Sequence, residues 1–200
     1  MKVPFFISRI KKLKEIKKYK YTGEFKMEGK IILNLAMSLD GYIADDEGGF
    51  DWIHGDGNST LDTENKWSYE EFLKDIDIVV MGSNCYKQEF HKDFKEQEVY
   101  IATSKSIDDY ENYHFVNENI VDIILELKNK GKKVFLFGGG VLIDSFVKRN
   151  VIDEYIIGII PTILGKGSKL FLENNPKIDL TLKNYFVEEG TVIMVYSKID

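Results

Sequence analysis

The chain has 200 residues, of which 44% are hydrophobic and 30% are charged, a balance that is typical of one ordinary globular domain. Cys85 is the only cysteine, which excludes a disulfide framework and a cysteine-based zinc cluster. No apolar run reaches the roughly 18 residues that a membrane-spanning helix needs.

The net charge of −6 is distributed unevenly along the chain. Residues 1–26 carry nine Lys or Arg against two Glu, a net charge of +7, whereas the other 174 residues carry 18 basic and 31 acidic groups, a net charge of −13. An acidic body of this kind repels nucleic acid and anionic membranes. We therefore expect no nucleic-acid partner, and membrane contact only through the basic segment.

We interpret residues 1–26 as a basic extension outside the fold and residues 27–200 as the domain. Phe6, Ile10 and Leu13 recur at near-helical spacing in the extension, so an amphipathic helix on a membrane surface is the alternative. The apolar stretch after Lys2 is too short for the hydrophobic region of a signal peptide, and we expect a cytoplasmic protein.

From residue 30 onward, buried-type apolar runs alternate with helical patterns. Strands are predicted at 30–37, 77–81, 99–103, 133–137, 154–160, about 179–187 and 191–198, helices at 67–74, 120–130 and 139–148, and a loop at 45–62. This order predicts a single-domain α/β fold with a mostly parallel central sheet, helices on both faces and an antiparallel C-terminal hairpin.

The most informative local pattern is a buried strand that runs into Gly138, Gly139 and Gly140 and then into a helix. Glycines let a backbone approach a phosphate closely, and the free N–H groups at a helix start favour an anion. The sequence lacks the Gly-x-Gly-x-x-Gly pattern and a Walker lysine at this place. A tight turn without a ligand is the alternative interpretation.

Two further predicted strands end in residues that suit a nucleotide. One runs into Gly82 and Ser83, and the other into Ser104 and Lys105, which offer a hydroxyl group and a cation to a ribose phosphate. Because the carboxyl ends of parallel strands meet at one edge of a sheet, these strand ends could hold a dinucleotide between them.

Several short motifs now occur in a specific order. They are Ala36-Met37-Ser38-Leu39-Asp40-Gly41-Tyr42-Ile43-Ala44, Asp51-Trp52-Ile53, Met81-Gly82 with Tyr86, Gly138-Gly139-Gly140, Asp153-Glu154, and Pro161-x-x-Leu164-Gly165-x-Gly167-x-x-Leu170-Phe171. Together they resemble the dihydrofolate-reductase-like superfamily, in particular the C-terminal reductase domain of the riboflavin-biosynthesis protein RibD. The resemblance covers residues 29–198, almost the whole chain beyond the basic extension.

The resemblance implies an NADPH-dependent reductase that transfers hydride to a small heterocyclic substrate of the pterin, pyrimidine or carbonyl type, as 5-amino-6-(5-phosphoribosylamino)uracil reductases do. It implies that Ala36, Gly41 and Trp52 lie beside the nicotinamide, and that Asp40, Asp51 and Trp52 face the substrate. The phosphates and adenosine would be held by Gly82, Ser83, Cys85, Ser104, Lys105, Gly138, Gly139, Gly140, Val141 and Leu142.

Reduction also needs a proton, from an acid or from an ordered water. Asp51 and Asp56 are the candidate acids, with Asp51 ahead because it adjoins Trp52, and solvated loop carboxylates are the alternative. Asp40 precedes a glycine and is expected to shape a turn rather than to donate the proton. The histidines lie in separate segments without ligand spacing, so we expect no metal site.

Three departures from the family pattern limit the prediction. Ser83 stands where relatives carry a basic residue for the 2′-phosphate, and Cys85 stands where Thr is usual. Lys105 offers a compensating charge, so we favour NADPH and keep NADH open. The only arginines are Arg9 and Arg149, whereas a phosphorylated riboflavin precursor would call for arginine readers.

These departures leave two alternative functions beside the reductase. The chain could be a true dihydrofolate reductase, or a protein that binds the cofactor without turnover. Association into a homodimer also stays open.

Overall fold

The structure, a computed structural model, describes residues 28–199. The strands in this range are β1 (Lys30–Ser38), β2 (Tyr42–Ala44), β3 (Ile78–Gly82), β4 (Glu98–Ala102), β5 (Tyr113–Val116), β6 (Lys133–Gly138), β7 (Glu154–Ile160), β8 (Ser168–Lys169), β9 (Leu180–Glu188) and β10 (Thr191–Lys198). The α-helices are α1 (Tyr69–Lys74), α2 (Ser83–Lys87), α3 (Ile120–Asn129) and α4 (Gly140–Lys148), and a 3₁₀ turn covers Phe90–Asp93.

Eight strands form one sheet in the order β5-β4-β3-β6-β1-β7-β10-β9. The first six are parallel to one another, and β10 pairs antiparallel with both β7 and β9. The remaining strands, β2 and β8, pair antiparallel in a small separate sheet. This topology confirms the predicted α/β fold with a mostly parallel sheet and an antiparallel C-terminal hairpin.

Side chains on the two faces of the sheet form two cores. Alternation along β1 sends Ile31 and Leu33 to the face that α3 and α4 cover, and Ile32 to the opposite face. On that opposite face α1 packs against an aromatic cluster centred on Phe135, whose ring centroid lies 5.1 Å from that of Phe72. The sheet therefore has helices on both faces, as predicted.

The predicted long elements are present with small changes at their ends. The first helix begins at Tyr69 rather than at 67, because the Ser68 Oγ accepts a hydrogen bond of 3.2 Å from the Glu71 N–H and caps the helix there. The short strands β2, β5 and β8 and the short helix α2 were not predicted. These elements have two to five residues, which is too few for a periodic pattern to appear.

The basic extension at 1–26 lies outside the described residues, and so does its predicted amphipathic helix. Among residues 28–199, every helix is too short or too polar to cross a membrane.

Candidate functional site

Two glycine turns face each other at the carboxyl edge of the sheet. The strands β3 and β6 are neighbours, and they end at Gly82 and Gly138. A methyl group on Gly82 would lie 3.6 Å from the Gly139 nitrogen and 3.8 Å from the Gly138 carbonyl oxygen. The two backbones thus approach each other with almost no side chain between them.

The helix α4 begins directly after the second turn. Gly139 precedes it in an ordinary extended conformation, with φ −79°, and as the N-cap residue it offers no side chain to the first N–H groups. A methyl group on Gly139 would meet no atom of residues 28–199 within 4 Å, so open space lies in front of Gly139 in this part of the chain. The peptide bond between Gly138 and Gly139 is cis. The turn therefore exposes bare backbone and uncapped N–H groups, the arrangement that suits an anion.

A groove with a volume of about 1120 Å³ runs along this edge. It brings together the predicted cofactor residues Gly82, Ser83, Cys85, Gly139, Gly140, Val141 and Leu142. The facing wall is formed by the β2 residues Tyr42–Ala44 and by residues 165–169, which include β8. Ala102, the last residue of β4, also lines the groove. The ends of three neighbouring strands therefore meet in one depression.

Other predicted residues lie around the groove without lining it. Ser104 and Lys105 are exposed and follow Ala102, and the Lys105 N–H donates a hydrogen bond of 3.1 Å to the Thr103 Oγ1. Gly138 is buried behind Gly139. The residues predicted around the nicotinamide and the substrate do not line the groove either. They are Ala36, Asp40, Gly41, Asp51, Trp52 and Asp56.

Asp40 holds the loop after β1 in place. Its Oδ1 accepts hydrogen bonds from the Ser38 hydroxyl at 2.6 Å and the Leu164 N–H at 3.1 Å, and its Oδ2 accepts one of 2.7 Å from the Gly165 N–H. The hydrogen bond from Ser38, with those from the backbone, lowers the pKa of Asp40 below its ordinary value. Both carboxylate oxygens are thus engaged in the loop, which agrees with the turn interpretation.

The two candidate acids are attached to different parts of the edge. Asp51 is exposed and follows Phe50. The Phe50 ring lies 5.6 Å from the Phe90 ring. The Phe90 ring lies 5.4 Å from the ring of Phe137, which is near the end of β6. Asp56 instead adjoins the β9–β10 turn, where its N–H donates a 2.8 Å hydrogen bond to the Glu189 carbonyl. The two carboxylates therefore belong to separate sections of the 45–62 loop.

Cys85 is a poor nucleophile in this position. Burial raises the pKa of the Cys85 thiol to about 11, so the thiol keeps its proton at neutral pH. Cys85 lines the groove.

Two lysines that line the groove and a buried amide in the middle of β1 were not among the predicted site residues. Lys169 of β8 lines the groove, and its carbonyl oxygen would lie 3.2 Å from a methyl group on Gly140. Lys166 also lines the groove and forms an ion pair with Asp46. Asn34 is the one polar residue within the apolar run of β1, and its buried Nδ2 has no hydrogen-bond partner among residues 28–199. Only this last residue had a signal in the sequence, a polar interruption in a buried strand.

Comparisons with known proteins agree with this architecture. The RibD C-terminal domain model matches residues 29–192. The uncharacterised protein YwjB of Bacillus subtilis is 34% identical over 129 residues, which is 61% of this chain and 71% of YwjB. The crystal structure of a candidate riboflavin biosynthesis protein from Shewanella sp. PV-4 superposes with a TM-score of 0.72 at 28% identity, covering 86% of this chain and 99% of that one.

A more distant structure shares the fold. Dihydrofolate reductase from Enterococcus faecalis, solved in complex with NADP(H), superposes with a TM-score of 0.58 at 14% identity, covering 87% of this chain and 99% of that one. This likeness shows that the chain has a dihydrofolate-reductase-like fold.

Proposed function

The chain belongs to the RibD C-terminal domain family, and from this premise we propose that it is an NADPH-dependent reductase of a small heterocyclic or carbonyl substrate. The observation that carries the proposal is the pair of facing glycine turns at Gly82 and Gly139. A methyl group on Gly139 would project into open space and one on Gly82 would make only ordinary contacts with the Gly138–Gly139 backbone, so both turns present bare backbone that a dinucleotide could approach closely. The dihydrofolate reductase with the same fold, which was solved with NADP(H), supports this cofactor.

Backbone and side-chain groups along the carboxyl edge of the sheet would bind successive parts of the cofactor. The Gly139 turn and the uncapped start of α4 would bind the pyrophosphate, whose negative charge suits free N–H groups. Lys169 would add a positive charge to the same groove. Ser104 and Lys105, just beyond Ala102, would contact the adenosine ribose and its 2′-phosphate.

Residues of β1, of the loop after it and of the 45–62 loop, which do not line the groove, would position the reacting groups. Ala36, Gly41 and Trp52 would lie beside the nicotinamide, and bound NADPH would supply the hydride. Holding two reactants in place can provide roughly 7–11 kcal/mol of the barrier. Asp51 would donate the proton, because its loop is held near the end of β6 by Phe50. Trp52 is fixed by a hydrogen bond of 3.2 Å from its Nε1 to the Gly49 carbonyl.

The placement of Arg149 favours a substrate without a phosphate group. Arg149 follows the last residue of α4 and pairs with Asp122 of α3 at 2.7 Å. It therefore lies at the opposite end of α4 from the groove, roughly 13 Å away at 1.5 Å per residue. Arginine is the natural bidentate reader of phosphate, and within the described residues no arginine is left to read a ribose phosphate at the groove. We propose a pterin, pyrimidine or carbonyl substrate of lower charge.

Titration of tryptophan fluorescence tests the proposal. The chain has two tryptophans, Trp52 and Trp67, and Trp52 adjoins the proposed nicotinamide position. We expect saturable quenching by NADPH, followed by NADPH oxidation with a member of a pterin and carbonyl panel. Turnover of dihydrofolate that methotrexate inhibits would establish a true dihydrofolate reductase instead. Binding without turnover on the whole panel would favour a cofactor-binding protein, and no quenching by NADPH or NADH would remove the cofactor from the proposal.

Replacing Ser83 by arginine should sharpen the preference for NADPH. Ser83 is half-buried, lines the groove at the start of α2 and carries no charge. An arginine there adds a bidentate partner for the 2′-phosphate, which NADH lacks. We expect NADPH to bind about tenfold more tightly to Ser83→Arg than to the wild type, with NADH affinity nearly unchanged. Parallel titrations with the two cofactors measure this, and Ser83→Gln is the uncharged control.

A further inference from the structure

A histidine on the outermost strand of the sheet is held between two carboxylates. The Nε2 atom of His114 in β5 lies 2.7 Å from the Glu98 Oε2, and its Nδ1 atom lies 2.9 Å from the Asp109 Oδ2. Glu98 is the first residue of β4, whereas Asp109 belongs to the 103–112 connection between β4 and β5. His114 therefore joins the sheet to this connection.

Both contacts together require a protonated ring. A neutral imidazole carries one N–H and one lone pair, so it can donate to only one carboxylate and would repel the other. Partial burial disfavours the charge on His114, but the hydrogen bonds to Glu98 and Asp109 outweigh it and raise the pKa of His114 above its ordinary value of 6.5.

The groups that face His114 come from two elements. Glu98 and Tyr100 belong to β4, and the Tyr100 ring lies 4.7 Å from the imidazole ring. Burial, with the charges of Glu98 and Asp109, raises the pKa of Tyr100 above its ordinary value of 10.0, so Tyr100 stays neutral while His114 titrates. Asp109 comes from the connection, and among the strands of residues 28–199 β5 is the outermost on its side of the sheet.

The same connection carries Ser104 and Lys105. Its far end is fastened by Asp109, which accepts both the contact from His114 and a hydrogen bond of 2.8 Å from the Phe115 N–H. A second attachment joins the Tyr110 hydroxyl to that of Tyr86 in α2, at 2.9 Å. When His114 loses its proton, the ring keeps only one N–H donor for its two carboxylate partners, Glu98 and Asp109. The other carboxylate then lies beside a neutral ring without a hydrogen bond from it.

We propose that protonated His114 is a positioning residue that holds the 103–112 connection where Ser104 and Lys105 bind the adenosine half of the cofactor, an inference that rests on the proposed function. The bridge is complete below pH 6.5, the ordinary value for histidine, and it is lost as the pH rises through the raised value in the folded protein. Cofactor affinity therefore falls on the alkaline side.

The test is the dissociation constant of NADPH between about pH 6 and pH 9, with NADH as a second probe. NADH lacks the 2′-phosphate, whose own titration near pH 6 would otherwise overlap. We expect affinity for both cofactors to weaken roughly fivefold across one step, at the low end of coupling between linked sites. His114→Gln should bind at the weak level throughout without a step. His54→Gln is the matched control, because His54 is exposed in the 45–62 loop, where its ring contacts the neighbouring Gly55 carbonyl rather than the 103–112 connection. This variant should keep the step.

Asp109→Asn distinguishes a charge effect from simple loss of structure. The amide oxygen can still accept from the Phe115 N–H, but the negative charge that raises the pKa of His114 is gone. The step should move to lower pH. An unchanged step in Asp109→Asn, or the same step in His114→Gln as in the wild type, would overturn the proposal.

Hydrogen exchange of residues 103–112 in the cofactor-free protein separates this proposal from the proposed function. We expect exchange in the wild type to accelerate relative to His114→Gln as His114 loses its proton. If that occurs and NADPH binds at no pH, the proposed function fails and the role of His114 in ordering the connection stands. If NADPH binds with the same affinity at all pH values, the positioning role is wrong and the reductase proposal survives.

Discussion

Replacing Gly139 by valine should lower NADPH affinity at least a hundredfold while the fold is retained. The free protein should tolerate a side chain at this position, because a methyl group would meet no atom of the described residues within 4 Å and φ is −79°, a value open to any residue. The proposed cofactor would not tolerate it, since the valine methyl groups would occupy the space in front of the α4 N–H groups. A hundredfold loss corresponds to about 2.8 kcal/mol at 1.4 kcal/mol per factor of ten.

Two measurements check this result together. Fluorescence titration gives the dissociation constant, and urea unfolding shows that Gly139→Val has the midpoint of the wild type. Gly139→Ala should lose affinity to an intermediate degree, because its single methyl group fills less of the same space. If a folded Gly139→Val binds NADPH as tightly as the wild type, the pyrophosphate does not lie against this turn.

Replacing Asp51 by asparagine should reduce kcat roughly a hundredfold, the lower end of the contribution that a positioned general acid makes. An amide of nearly the same shape cannot donate the proton that must reach the substrate with the hydride. Because Asp51 is exposed and its loop is held by the Phe50 ring, the KM for NADPH should change little. The measurement is steady-state oxidation of NADPH with the panel compound that turns over.

Asp56→Asn is the matched control for this variant. Asp56 lies in the same loop, and its Oδ1 accepts a hydrogen bond of 2.8 Å from the Asn58 N–H, which an amide oxygen can keep. Its kcat should stay within about twofold of the wild type. A large loss in Asp56→Asn alone would move the acid to Asp56, and full activity in both variants would make an ordered water the proton source.

The long strands and helices were predictable because buried positions appear in the sequence as apolar runs or as apolar residues at helical spacing. Ile31–Leu33 and Val134–Leu136 are apolar runs that lie inside the sheet, and α3 carries apolar residues at helical spacing. The pairing of β2 with β8 had no such apolar pattern. Tyr42 pairs with Lys169 far along the chain, and a two-residue strand exists only because its partner is there.

The candidate site divides in the same way. Each glycine turn was visible from a strand followed by small residues, but the approach of Gly82 to Gly139 depends on β3 lying next to β6. Strand order is a property of the whole packing, so no local pattern reports it. For the same reason Lys169 went unnoticed, since its neighbour Gly140 is almost thirty residues earlier in the chain.

The central position of β1 has a consequence for how the protein is made. Both neighbours of β1 come from much later in the chain, since Lys30 pairs with Lys133 and Ile32 with Glu154. During synthesis β1 therefore leaves the ribosome before either partner strand exists. Its apolar residues stay unpaired until about a hundred further residues have been translated. Such non-local pairing makes folding slow and leaves an unpaired strand open to aggregation. The groove can assemble only after β6 and β7 have been translated, so a nascent chain that stalls before residue 133 carries the first strand of the site without the site.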